Sequence, residues 1–125
     1  NFSIMGKVVK GNKIGSSIGF PTANIEIENP WKILPKNGVY AVKVFVKNHQ
    51  YFGMLNLGNR PSISDDTFAI EAHLFDFSAT IYNEKLKIEF IQRIRDEKQF
   101  LDLEKLQSQL KIDEINCKQI FNLLR

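Results

Sequence analysis

Short runs rich in Val, Ile and aromatic residues recur between turn signals along most of the chain: Phe2 to Lys10, Asn24 to Glu28, Gly38 to Lys47, Tyr51 to Leu57, Phe68 to Asp76 and Lys85 to Ile94. Runs of this length and composition predict six strands. The alternation is clearest in TFAIEAHLFDF, where Phe68, Ile70, Ala72 and Leu74 share one face and Ala69, Glu71, His73 and Phe75 the other. The first face reads as core and the second as mixed. Lys47-Asn48-His49-Gln50 reads as a hairpin turn. GNKIGSSIG, NPWKILPKN and GNRPSISDDT are longer than a strand reversal requires, which marks them as the places where binding residues would gather.

After Arg95 the period changes. Leu103, Leu106 and Leu110 fall on one helical face, and Cys117, Ile120, Phe121 and Leu124 repeat the spacing. Asp102 and Asp113 each precede such a run as an N-cap would, predicting two helices with a break near Asp113. Six strands followed by helices predict a mainly β fold: a six-stranded antiparallel Greek-key barrel, closed or nearly so, with C-terminal helical cover.

Composition narrows the class. With 43% apolar and 25% charged residues, the 125-residue chain reads as one globular domain over residues 1–125 with a real core. The net charge of +3 comes from Lys and Arg interleaved with Asp and Glu, a pattern that favours an anionic small molecule over nucleic acid. The single Cys117 cannot form an internal disulfide, so a cytoplasmic location is the default. No apolar run approaches the roughly 20 residues that cross a bilayer, so no membrane role is expected. The chain begins with Asn, which reads as a segment of something longer.

Candidate chemistry concentrates in three places. Gly11, Gly15 and Gly19 permit close backbone approach, and their loop could aim N–H groups at phosphate oxygens or simply connect two strands; it lacks the spacing of a P-loop. In GFPTAN, Pro21 holds a short extended stretch in which Thr22 and Asn24 share a face. Two hard oxygens there suit Mg²⁺ shared with substrate phosphates, and they equally suit a side-chain-stabilised turn. Glu71, mid-strand on a mixed face, could accept a proton from a substrate hydroxyl or make an ordinary surface ion pair. His73 beside it reads as a polar or packing residue. His49, His73 and Cys117 lack zinc-type spacing, and Cys117 lies on an apolar helical stripe where packing is the commoner role. Among loop aromatics, Trp31 and Phe100 could cover a flat ligand.

In order and spacing, GKVVKGNKIGSSIGFPTANI, LPKNGVYAVKV, NLGNRPS, IEAHLFDF and IQRIRDEKQFLDLEKLQSQLKID resemble the riboflavin kinase family across nearly the whole chain. They are most similar to the C-terminal kinase module of bacterial bifunctional riboflavin kinase/FMN adenylyltransferases. The resemblance implies transfer of the ATP γ-phosphoryl group to the terminal ribityl hydroxyl of riboflavin, giving FMN and ADP with Mg²⁺, or Mn²⁺ or Zn²⁺ in its place. It implies Glu71 as general base, Thr22 and Asn24 at the metal and nucleotide phosphates, and the Gly11, Gly15 and Gly19 loop closing over the nucleotide. Arg95 and Asp113 match positions bordering the flavin site. An FMN adenylyltransferase domain would lie upstream, since no HxGH-type motif occurs here. Ser62 in place of Thr after RP, Asn83 in place of Gly after Tyr82, and the NPWKILP loop depart from the family pattern. The rival readings are a barrel that binds flavin or nucleotide without catalysis, and a barrel for single-stranded nucleic acid.

Overall fold

The computed structural model describes residues 2–9, 19, 22–29, 31–60, 67–76, 83–98 and 100–123. Among these, six strands close into a barrel: β1 (Ser3–Val9), β2 (Ala23–Ile27), β3 (Gly38–Val46), β4 (His49–Arg60), β5 (Thr67–Leu74) and β6 (Lys85–Arg95). All pairs are antiparallel, in the order β1-β2-β5-β4-β3-β6. The β3-β4-β5 meander with β6 returning beside β3 is a Greek key. The expected fold is therefore present.

Side-chain alternation explains the closure. Ile4 and Val8 of β1, Ile25 of β2, Tyr40, Val42, Val44 and Val46 of β3, Leu55 and Leu57 of β4, Ile70, Ala72 and Leu74 of β5, and Leu86, Ile88 and Phe90 of β6 fill one interior cluster. Each of these strands sends every second residue inward, as a period of two demands. Toward its start β3 is buried on both faces, because its outward Val39 and Ala41 are buried as well. Between β3 and β4, Lys47 (φ 51°) and Asn48 (φ 65°) both take left-handed conformations. Two consecutive positive φ values form the mirror-image turn whose twist suits a tight hairpin.

Among the described residues one helix, α1 (Leu103–Leu123), covers part of the outer surface. Asp102 caps it as expected: its Oδ1 accepts from the Lys105 N–H at 2.8 Å. Cys117 and Phe121 pack against Ala41, Met54 and Phe75, and the Phe121 ring stacks on Phe52 at 4.2 Å between centroids. Burying a side chain of that size contributes about 1.5–3 kcal/mol.

Two expectations are corrected. The helix runs unbroken through Asp113, which is wholly buried and faces the barrel, where an N-cap would sit at an end. Its carboxylate takes side-chain donors and leaves the helix ladder intact. β4 also continues through Gly58, Asn59 and Arg60, residues expected in a loop, because β5 pairs with them from Thr67 to Ala69.

Candidate active site

The register of the barrel lines up the polar positions on its outer face. Asn24 on β2 is opposite Glu71 on β5, Glu71 is opposite Asn56 on β4, Asn56 is opposite Val39 on β3, and Val39 is opposite Arg95 on β6. The sequence neighbours of the first four line the interior, so these side chains leave the barrel on the same side. Directly opposed residues have Cβ atoms about 4.5–5.5 Å apart, which puts Asn24, Glu71 and Asn56 in one contiguous polar row.

Asn24 and Glu71 are both half-buried, and Oδ1 of Asn24 is buried with no hydrogen-bond partner among the described residues. A buried oxygen left without a donor costs about 1–3 kcal/mol, so it is a position that gains from a ligand. Thr22, also half-buried, immediately precedes β2. Together they offer hard oxygens beside a carboxylate, a donor set that could hold Mg²⁺. Gly19 sits at φ 88° with open space where a side chain would be, so the left-handed turn there favours glycine. Gly11 and Gly15 lie outside the described residues.

Farther along the row, irregularities in the β3–β6 register fall between Val39 and Tyr40 and between Ala41 and Val42. Bulges of this kind re-aim side chains. They separate Arg93 from Arg95, which an unbroken strand would have pointed the same way. Arg93 folds over Gly38, and its Nη2 donates to the Asn37 carbonyl and to Asp96 Oδ1, both at 2.6 Å. That hydrogen bond raises the Arg93 pKa and holds the Asp96 carboxyl below the usual carboxylate range.

Arg95 instead grips the helix. Its Nε donates to Asp113 Oδ1 at 2.9 Å and Oδ2 at 3.1 Å, and its Nη2 to Oδ2 at 2.8 Å. Gln109 Nε2 adds a bond to Oδ1 at 3.0 Å, and Arg95 Nη1 donates to the Asp96 carbonyl at 2.9 Å. Phe100 lies 5.9 Å from the guanidinium. Beside this tie runs a groove of about 560 Å³ whose lining includes Phe100, Ser108, Gln109 and Ile112.

His73, two residues from Glu71, packs edge-on to Phe75 at 5.7 Å and lies 3.9 Å from Glu114 of the helix. Cys117 is buried as expected, and desolvation followed by the charges of Asp113 and Glu114 pushes its thiol up to about 12. Trp31 is 88% exposed. Among the described residues no three His, Cys, Asp or Glu side chains form a metal-binding group.

The sequence model of the Flavokinase family, riboflavin kinase, matches residues 1–121. The chain belongs to the riboflavin kinase family. Bifunctional riboflavin kinase/FMN adenylyltransferases from Haemophilus influenzae and Bacillus subtilis are 43% and 39% identical to it, over 97% and 99% of this chain. This riboflavin kinase family chain spans 39% and 40% of the length of those curated relatives. A crystal structure named as a macrolide-efflux protein from Streptococcus pneumoniae superposes with a TM-score of 0.84 at 34% identity, over 93% of this chain and 38% of that one. The riboflavin kinase of Trypanosoma brucei shares the fold, with a TM-score of 0.63 at 24% identity over 96% of this chain and 79% of its own.

Within this riboflavin kinase family fold, the sequence singled out Glu71 and Asn24 as candidates, and the register sets Asn56, which it did not single out, in the same row. Gly58 and Glu97 were not singled out either: the Glu97 carboxylate fills the space that a Cβ on Gly58 would occupy. The signal was available, because glycine inside a strand often marks a close approach.

Proposed function

We propose that this chain transfers the γ-phosphoryl group of ATP to the terminal ribityl hydroxyl of riboflavin, yielding FMN and ADP. The observation that carries the reading is the cross-strand Asn24–Glu71 pair on the outer face, with a buried Asn24 oxygen lacking a donor, in a chain of the riboflavin kinase family. Glu71 accepts the hydroxyl proton as the oxygen attacks the γ-phosphorus, and the bond to the β-phosphate oxygen breaks to release ADP. A base placed in this way contributes about 10²- to 10⁴-fold.

Thr22 and Asn24 would hold Mg²⁺, with Mn²⁺ or Zn²⁺ as substitutes, and the ion would neutralise charge on the nucleotide phosphates. The loop of Gly11, Gly15 and Gly19 closes over those phosphates. The flat flavin ring takes the groove beside Phe100 and Gln109. Arg95 and Asp113 border it. Since Asp113 and the Asp96 carbonyl occupy most of its fork, Arg95 shapes the groove wall more than it offers charge. Three strand spacings separate Arg95 from Glu71, about 14 Å along the sheet, a span suited to a ring at one end and a reacting hydroxyl at the other.

An FMN adenylyltransferase domain upstream in the same chain remains part of this reading, on the strength of the bifunctional relatives. So does a cytoplasmic setting; no helix among the described residues is long and apolar enough to cross a membrane. Incubating the protein with riboflavin and ATP tests the proposal. FMN and ADP should form in equal amounts with Mg²⁺ present and cease to form when the divalent ion is chelated. Flavin or oligonucleotide binding without product would overturn it.

A further inference from the structure

Gly58 lies on the same outward face of β4 as Asn56, one diagonal step from Glu71. Diagonal neighbours across a sheet are about 7–8 Å apart. The space above Gly58 is taken by the carboxylate of Glu97, which reaches across the outer face from the segment after β6. Any side chain at position 58 would expel it. Oε2 of Glu97 is buried and has no hydrogen-bond partner among the described residues. A carboxylate oxygen in that state is costly, and the cost is relieved when a donor arrives.

The position decides which donor. Glu97 lies between Arg95, beside the groove, and Glu71, at the other end of the row. We propose that Glu97 is a specificity residue for the acceptor substrate, and that its Oε2 accepts a hydrogen bond from a hydroxyl within the ribityl chain. The proposal rests on the kinase reading above. The ring sits at the groove, and Glu71 meets the terminal hydroxyl. A carboxylate one diagonal step from Glu71 therefore meets the polyol and not the ring imide. Gly58 is glycine so that this carboxylate can lie against the sheet.

The test compares riboflavin with lumiflavin, which has the same ring and no polyol, by flavin fluorescence titration with Mg²⁺-ADP present. In Glu97→Ala, riboflavin affinity should fall about tenfold while lumiflavin affinity stays within about twofold of native, the loss expected for one charge-assisted hydrogen bond. Gly58→Ala should reproduce the selective loss, and adding it to Glu97→Ala should cost little more, since both act on one carboxylate. Glu97→Gln, which keeps the shape, should show a smaller loss, and KM for riboflavin should rise in each variant while KM for ATP holds. Unchanged riboflavin affinity in Glu97→Ala, or parallel losses for both flavins, would overturn the assignment. Native protein that made no FMN would instead refute the kinase reading.

Discussion

Asn24 and Glu71 are direct cross-strand partners on β2 and β5, and both side chains leave the barrel on its outer face. The two strands are not consecutive in sequence; the closed strand order makes them neighbours. Barrel closure therefore builds the pair, and a rigid sheet holds the carboxamide beside the carboxylate before any ligand binds.

Replacing Asn24 with the similarly sized Leu removes an oxygen that is already without a donor among the described residues. Urea denaturation should show stability unchanged or raised by up to about 1–3 kcal/mol, because an unsatisfied buried acceptor is lost. The same variant should bind Mg²⁺-ADP more weakly than native protein by titration calorimetry. A destabilised variant with native nucleotide affinity would place Asn24 in a structural role.

The Arg95–Asp113 tie is a buried ion pair, with Asp113 fully inaccessible and Arg95 17% exposed. Asp113→Ala strands the guanidinium and should lose about 3–5 kcal/mol in urea denaturation. Arg95→Met combined with Asp113→Leu should recover most of that loss, since apolar replacement of both partners avoids the stranded charge. A double variant as unstable as the single one would contradict this reading.

Cys117 supplies a pH dependence. Its thiol is held at about 12 in the folded state against 9.0 for an exposed thiol. Over that interval the unfolded chain gives up its proton while the folded one retains it. The unfolded state then binds fewer protons, and stability falls as pH rises from 9 toward 12. Thermal unfolding of native protein and Cys117→Ala across this range should show a steeper alkaline decline in the native protein. Parallel curves would remove Cys117 as the cause.

The strands were legible because runs of β-branched and aromatic residues stand between turn signals, with alternation at period two plain in β1 and the first half of β6, and the Asp102 cap was legible because its partner is local. Asp113 was misread for the opposite reason. An aspartate before an apolar run looks like a cap, and what makes it interior is Arg95 on a different element. β4 looked shorter than it is because Gly58 and Asn59 are turn-forming types, while the pairing that keeps them in the strand comes from β5. Glu71 and Asn24 were each visible as candidates. Their juxtaposition depends on a register between non-consecutive strands, which no local pattern encodes. The divergent fates of Arg93 and Arg95 depend on bulges, which an alternating pattern does not reveal.

The claim that Glu71 is the base of a riboflavin kinase is met most directly by single-turnover FMN formation in native protein and Glu71→Gln, with Mg²⁺-ATP and riboflavin both saturating. The rate should fall about 10²- to 10⁴-fold in the variant, with Mg²⁺-ADP affinity close to native. A Glu71→Gln variant that forms FMN at a near-native rate would contradict it.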